Sequence, residues 1–313
     1  MMSSGTGLEE ANMMMCCASC GIAEVDDIKL KKCTACKLVR YCSVKCQKAH
    51  RPQHKGACKK RAAELRDERL FQQPENGDLG DCPICLLPHS LDFKKSTIQS
   101  CCYKLICNGC AYASMLHEAE GSLEDVCPFC RQPYPESEQE VDRNVMRRVE
   151  ANDPLAMRQM GVKCYSQGKY NSSIEYFMKG AKLGDAEAHY QLALSYIRGE
   201  GIEKDMKKAV HHWEEAAIGG HTAARFNLGN SEIKRGRTER AVKHYIIATN
   251  LGCDHSMKQL KEAYAKGTVR KEDFAAALRA HQAAVDATKS PQREAAEIAE
   301  QNQESGAYRT EYI

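Results

Sequence analysis

"RGEGIEKDMKKAVHHWEEAAIGG", residues 198–220, sets the register of the C-terminal half. Its last glycine, Gly220, lines up with Gly184 and Gly252, and eight residues after each stand Leu192, Leu228 and Leu260, with Met160 in register one unit earlier. Seven residues before each glycine are Phe177, Trp213 and Tyr245, and ten before are Ile174, Val210 and Val242. Leu278 and His281 continue these columns into a fourth unit. Small residues at Ala156, Ala188, Ala224 and Ser256 fall four before the leucine column, where helices can approach closely. Units of 32 and 36 residues repeated at this register are the mark of a helical array, the longer ones carrying insertions between their two helices.

Through its Gly-x-Gly, Lys-Asp, Lys-Ala, Trp and Ala-Ala positions this stretch resembles a Sel-like repeat, a relative of the tetratricopeptide repeat, and the other units are degenerate versions of it. The resemblance implies about four helix pairs over residues 152–289, stacked as a right-handed solenoid that buries its apolar stripe between neighbours. Trp213 is then a core residue, and the concave face is a surface for other proteins. No phosphate-binding loop, nucleophile elbow or paired-carboxylate site stands out in this half. Cys164 and Cys253 are isolated, and residues 290–313 read as a polar tail that can extend a polar helix before fraying, without assigned function.

Upstream the composition changes. Of eighteen cysteines sixteen precede residue 131, while aromatics make up only 6% of the chain and tryptophan occurs once. No secretion signal and no long uncharged apolar run is visible, which leads us to expect a soluble protein of the cytoplasm and/or nucleus. In a reducing compartment, paired thiols at short spacing hold metal more often than disulfides. The formal charge of +3 then overstates the basic character. A four-thiolate zinc site carries about −2 and a three-thiolate, one-imidazole site about −1.

The first cluster, residues 16–58, supplies Cys17, Cys20, Cys33, Cys36, Cys42, Cys46, His54 and Cys58 in four pairs. Two pairs have two intervening residues and two have three, spacings that let both members reach one tetrahedral ion. Cys16 could replace Cys17, although two intervening residues suit a zinc knuckle better, and His50 reads as a solvated helix residue. With Tyr41 before Cys42 and seven residues between Cys46 and His54, this pattern resembles the MYND zinc finger. That family interleaves its pairs, which implies one zinc on Cys17, Cys20, Cys42 and Cys46 and another on Cys33, Cys36, His54 and Cys58. It also implies a protein ligand, since these fingers bind short proline-containing peptides. From Lys29 to Arg61 there are twelve Lys or Arg and no acid, which could be a nucleic-acid footprint. Without interleaved aromatics to stack bases, an offset to the nearby thiolates is the better reading, and no nucleic-acid partner is expected.

The second cluster, residues 82–133, holds Cys82, Cys85, Cys101, Cys102, Cys107, Cys110, Cys127 and Cys130. Fifteen, four and sixteen residues separate its four groups. It resembles a RING finger, in which the first and third pairs share one zinc and the second and fourth the other. The histidine usual two residues after the third cysteine is replaced by Lys104, whose ammonium has no lone pair to give. Cys101 is the nearest candidate for the eighth ligand and His117 the alternative. An eight-cysteine variant of similar spacing occurs in the ligase subunit of the Ccr-Not complex.

RING ligases place an apolar residue in the first pair, a proline in the last, and a cation after the final cysteine. Here those positions hold Ile84, Pro128 and Arg131, which the resemblance makes contacts to a ubiquitin-conjugating enzyme, with no nucleophile on this chain. The fold expected is mainly α with small α+β zinc modules: residues 1–15 disordered, two cross-braced fingers, a 59–81 linker with a short helix and a flexible loop, a connecting helix at 134–151, and the solenoid. The function expected is a RING-type ubiquitin ligase holding four Zn2+, whose MYND finger and repeats recruit protein clients. The alternative is a non-enzymatic interaction scaffold.

Overall fold

The computed structural model describes residues 16–25, 27–119 and 126–310, with the side chains of 117–119 and 303–310 outside the description. The segment 1–15, expected to be disordered, therefore lies outside the described residues. The chain divides into two compact units, residues 1–72 and 73–313.

The first unit is a finger on a helix. Strands β1 (Lys31–Lys32) and β2 (Arg40–Tyr41) pair antiparallel, with Lys31 opposite Tyr41. Cys17, Leu30, Cys33, Cys36 and Tyr41 form the small core they cover. Helix α1 (Val44–Leu70) starts at Ser43, whose hydroxyl accepts the Cys46 N–H and so caps the helix beside a ligand pair. The short linker helix expected after residue 58 is the continuation of α1, because no breaker stands between Cys58 and Leu70 and Arg61 pairs with Glu64 and Glu68 along that face.

The second unit begins with a small module. Strands β3 (Ser96–Ile98) and β4 (Leu105–Cys107) pair antiparallel with Ser96 opposite Cys107, and α2 (Asn108–Ala119) follows directly. Helix α3 (Glu138–Glu150), capped by Ser137, leads into the array. Tyr103 of the module, Val145 of α3 and Ala156 of the first repeat form one buried cluster, so the module is anchored to the solenoid.

Four helix pairs make up the solenoid: α4 (Pro154–Ser166) with α5 (Tyr170–Lys182), α6 (Ala186–Arg198) with α7 (Met206–Ile218), α8 (Thr222–Lys234) with α9 (Thr238–Asn250), and α10 (Asp254–Ala265) with α11 (Lys271–Ala287). Successive helices pack on one another throughout. Phe177, Trp213 and Tyr245 are 1%, 8% and 3% exposed, and Leu192, Leu228 and Leu260 no more than 2%. The rings fit because the positions after Met160, Leu192 and Leu228 are small, Gly161, Ala193 and Gly229: a Cβ on Gly161 would lie 2.5 Å from the Phe177 ring, and one on Gly229 2.4 Å from Tyr245. Gly184, Gly220 and Gly252 have φ of +91, +89 and +88, a conformation that favours glycine, at the turns into α6, α8 and α10.

Three stretches differ from their sequence reading. Leu278 is half exposed, and Ala277, one position before it, is buried in line with Ser173, Ala209 and Ala241. The loop 74–81, expected to be flexible, runs against the repeat turns: a Cβ on Gly220 would meet the Asn76 carbonyl at 2.5 Å, and Asn250 Nδ2 donates to Gln73 Oε1 at 3.0 Å. The stretch from 290, read as a polar tail, is helix α12 (Pro291–Thr310), but it is docked: Arg293 and Ala296 are buried and the helix packs on α2. Among the described residues no helix is long and apolar enough to cross a membrane.

Phe177→Ala is expected to destabilise the second unit by about 3–5 kcal/mol, read as earlier loss of helical circular dichroism in urea. Leu278→Ala should change it by no more than about 0.5 kcal/mol. Equal effects would mean that the aromatic column is not the solenoid core.

Candidate metal centres

Four of the five Cys-x-x-Cys pairs sit on one type of turn, while the fifth, Cys107–Cys110, opens helix α2. The N–H groups of Gly21, Lys37, Leu86 and Arg131, each following the second cysteine, donate to the carbonyls of Cys17, Cys33, Cys82 and Cys127 at 2.8–2.9 Å. Their φ values are +76, +56, +57 and +58. Three of the four are not glycine, and a side-chain-bearing residue there costs about 1–3 kcal/mol unless its surroundings fix it. An ion held by both thiolates of the pair supplies that constraint.

The same turn explains the adjacent cysteines. Tyr103, after Cys102, has φ +56 and donates its N–H to the Gln99 carbonyl at 2.8 Å. Gln99 thus occupies the place of the first cysteine, and its buried amide oxygen instead accepts from Tyr134 Oη at 2.8 Å. Cys101, one turn position before Cys102, supplies the thiol, 3.4 Å from Cys130 Sγ. The His117 side chain lies outside the described residues.

Four groups result, in each of which the ligand atoms lie within 4.8 Å of one another: Cys17, Cys20, Cys42 and Cys46; Cys33, Cys36, His54 and Cys58; Cys82, Cys85, Cys107 and Cys110; and Cys101, Cys102, Cys127 and Cys130. Each finger is therefore cross-braced, its first and third pairs meeting and its second and fourth. Sulfurs bound to one tetrahedral zinc at about 2.3 Å lie about 3.8 Å apart. The observed separations are 3.6 Å for Cys20–Cys42 and Cys42–Cys46, 3.8 Å for Cys33–Cys58, Cys85–Cys107 and Cys102–Cys127, and 3.9 Å for Cys82–Cys110. A disulfide needs about 2.05 Å. The donor sets therefore fit zinc.

Electrostatics inside the groups point the same way. Burial raises the Cys17 thiol, but backbone groups of Cys42, Cys20 and Ser19 outweigh it and hold it at about 6. Hydrogen bonding to Cys46 and Cys20 pushes Cys42, in the same group, up to about 12. In the fourth group burial and the Cys130 thiol raise Cys101, and burial lifts Cys102 to about 11, whereas Cys127 is lowered by the Cys130 and Phe129 backbone despite its burial. Like charges this close cannot all form unaided. A divalent cation is what lets four thiolates coexist.

His54 presents Nε2 to Cys36 at 3.2 Å. His50 stands outside the ligand groups and is not a solvated residue: its Nδ1 bonds Tyr41 Oη at 3.1 Å and its ring stacks on His54 at 5.6 Å. Cys17, and not Cys16, joins the first group. Cys164 and Cys253 are buried.

A fifth cluster, Asp78, Glu187 and His221, joins loop 74–81 to the solenoid. His221 Nδ1 accepts the Ala224 N–H at 3.1 Å, capping α8, so the ring proton is on Nε2 and is donated to Glu187 Oε2 at 2.8 Å. Both ring nitrogens are thus engaged, and the ring offers no lone pair to a metal. This cluster is a docking contact.

Around the second finger, Ile84 is 40%, Leu86 73% and Phe129 41% exposed, Pro128 is half-buried and Arg131 is exposed. Spacing alone did not mark Gln99 or the buried Arg293 of α12. For Gln99 the signal was available: it stands three residues before Cys102, the first place of a knuckle.

His54→Ala should loosen one zinc ion of the first finger, whereas His50→Ala should leave metal content unchanged while weakening retention only slightly, both measured by zinc analysis after dialysis against a mild chelator. Identical losses in the two variants would contradict the assignment of the two rings.

Residues 17–58 match the MYND finger, and residues 154–185 and 186–221 each match the Sel1 repeat. Chitin synthase regulatory factor 4 of Schizosaccharomyces pombe is 33% identical over 103 residues, covering 31% of this chain and 16% of that protein. SET domain and MYND-type zinc finger protein 6 of the same yeast is 42% identical over 52 residues, covering 17% and 10%. The chain thus spans only a small part of the length of these relatives. Among solved structures, a Sel1 repeat protein from Oxalobacter formigenes is 28% identical with a TM-score of 0.42, covering 55% of this chain and 70% of that one. The uropathogenic Escherichia coli antigen c5321, with an SLR fold, is 18% identical with a TM-score of 0.38, covering 60% and 39%. This chain therefore carries a zinc-binding MYND finger at residues 17–58 and Sel1 repeats over residues 154–221.

Proposed function

We propose that the protein is a zinc-dependent interaction scaffold of the cytoplasm and/or nucleus, holding four Zn2+ and joining partners through its MYND finger and its helical repeats. The observation that carries this reading is the presence of two protein-interaction modules, the MYND finger and the Sel1 repeats, on one chain. One relative is named a regulatory factor, which accords with a role exerted by binding. Proline-containing peptides are the ligand class of the first finger and protein clients that of the repeats. The basic stretch 29–61 contributes an ion pair, Arg40 with Glu24 at 2.6 Å, and serves as counter-charge to the thiolates; nucleic acid is not the partner proposed.

In this reading, fluorescence anisotropy with a panel of proline-containing peptides detects binding to the full chain, and removal of zinc by a strong chelator abolishes it. Binding that survives complete zinc removal, or no binding to any peptide of the panel, would count against the MYND finger as the peptide site.

A second reading is favoured by the cross-braced second finger with Ile84 exposed in its first pair and Arg131 after its last. There it would recruit a ubiquitin-conjugating enzyme and hold the ubiquitin thioester in an attack-ready conformer, Arg131 bridging the two by its planar fork. Ubiquitin discharge measured across several conjugating enzymes decides between the two. A ligase stimulates discharge about tenfold less well when Arg131→Ala removes one transition-state hydrogen bond, and less well also when Ile84→Ala removes apolar contact area of the conjugating-enzyme surface. No stimulation by the wild-type chain leaves the scaffold alone.

A further inference from the structure

We propose that Arg293, carried on the C-terminal helix α12, is an outer-sphere positioning residue of the Cys82–Cys85–Cys107–Cys110 site and retains zinc there through Cys85. This inference rests on the reading of that group as a zinc site.

Arg293 is 8% exposed, unusual for an arginine on a helix whose composition is otherwise polar. Its guanidinium turns into the first loop of the second finger. Nη1 donates to the Pro88 carbonyl at 2.6 Å and to the Thr288 carbonyl at 2.8 Å. Nη2 donates to the Leu87 carbonyl at 3.1 Å and to Cys85 Sγ at 3.4 Å. Cys85 is the acceptor in this set that becomes an anion. A zinc with four thiolates carries about −2, and a buried cation in contact with one sulfur offsets part of that charge and orients the thiolate.

The contact is also built from the finger's side. A Cβ on Gly109, between Cys107 and Cys110, would lie 2.8 Å from the Arg293 nitrogen and Cγ and 2.9 Å from its Cα. Glycine inside this ligand pair is thus what lets the backbone of α12 reach the site. Lys95 Nζ to Glu297 Oε1 at 2.8 Å, one turn along α12, is a second tie between the same two elements. Zinc held in this site therefore depends on residues about two hundred positions away in the chain, and the last helix fastens the finger to the end of the array.

The experiment follows zinc transfer from the full chain to a chromophoric chelator at neutral pH, for wild type, Arg293→Met and Arg293→Lys. Protease nicking within α12 reports whether the helix remains docked. Arg293→Met should release one zinc about 10–100-fold faster and leave the others at wild-type rates, while Arg293→Lys, which keeps the charge but not the fork, should recover part of the retention. Release of every zinc from Arg293→Met at wild-type rates overturns the proposal. If α12 undocks in Arg293→Met, Arg293→Lys decides: retention regained supports the role, and release as fast as in Arg293→Met with the helix docked overturns it. Cys82→Ser separately tests the site itself, because a variant that keeps all its zinc removes the zinc reading, whatever Arg293 does.

Discussion

Four thiols within 4.8 Å of one another cannot all ionise unless a cation sits among them, and most of the first 130 residues is arranged around that constraint. The apolar clusters there are small and made largely of the cysteines themselves: Cys17, Cys33 and Cys36 with Leu30 and Tyr41 in one finger, and Cys82, Cys107 and Cys110 with Ile106 in the other. Modules of this size bury too little surface to fold alone. Structural zinc provides about 10–16 kcal/mol in finger peptides, which is enough to make metal binding and folding one event. The left-handed backbone at Lys37, Leu86, Tyr103 and Arg131 belongs to the same logic, since each turn is held closed by the ligands it presents.

The repeats obey a different constraint. Their stability comes from rings seated on small residues, Phe177 over Gly161 and Tyr245 over Gly229, and from leucines buried between successive helices. Within residues 73–313 the described residues join the two regimes through Tyr103 against Val145 and Ala156, loop 74–81 against the turns at Gly220 and His221, and α12 against α2. The second finger is therefore part of the repeat unit and not a module on a loose tether. A partner bound along the repeats would rest on a framework whose ends are tied to that finger.

The ligand pairs were legible in the sequence because their spacing is local: a knuckle needs its two cysteines three apart, and His54–Cys58 has the helical separation of four, a spacing that Cys42–Cys46 shares although Cys42 lies just before the Ser43 cap of α1. The columns of Phe177, Trp213 and Tyr245 were legible for the same reason, as a period repeated within one chain. Cys101 beside Cys102 was the harder case. Its explanation lies in the turn, where Gln99 holds the place of a cysteine and turns its own side chain to Tyr134. What local pattern could not supply were contacts between distant segments. Nothing in the residues around Arg293 announces a neighbour at Cys85, and the glycine and proline that made loop 74–81 look flexible are compatible with a loop pressed against Gly220. The run of α1 past residue 58 was missed at a boundary, where helix formers on both sides conceal that one helix serves finger and linker.

Zinc stoichiometry combined with X-ray absorption at the zinc edge tests the metal arrangement most directly. Four zinc ions per chain are predicted, with fifteen sulfurs and one nitrogen shared among them. Two ions per chain, or an average shell with one or more nitrogen or oxygen neighbours per zinc, would contradict it.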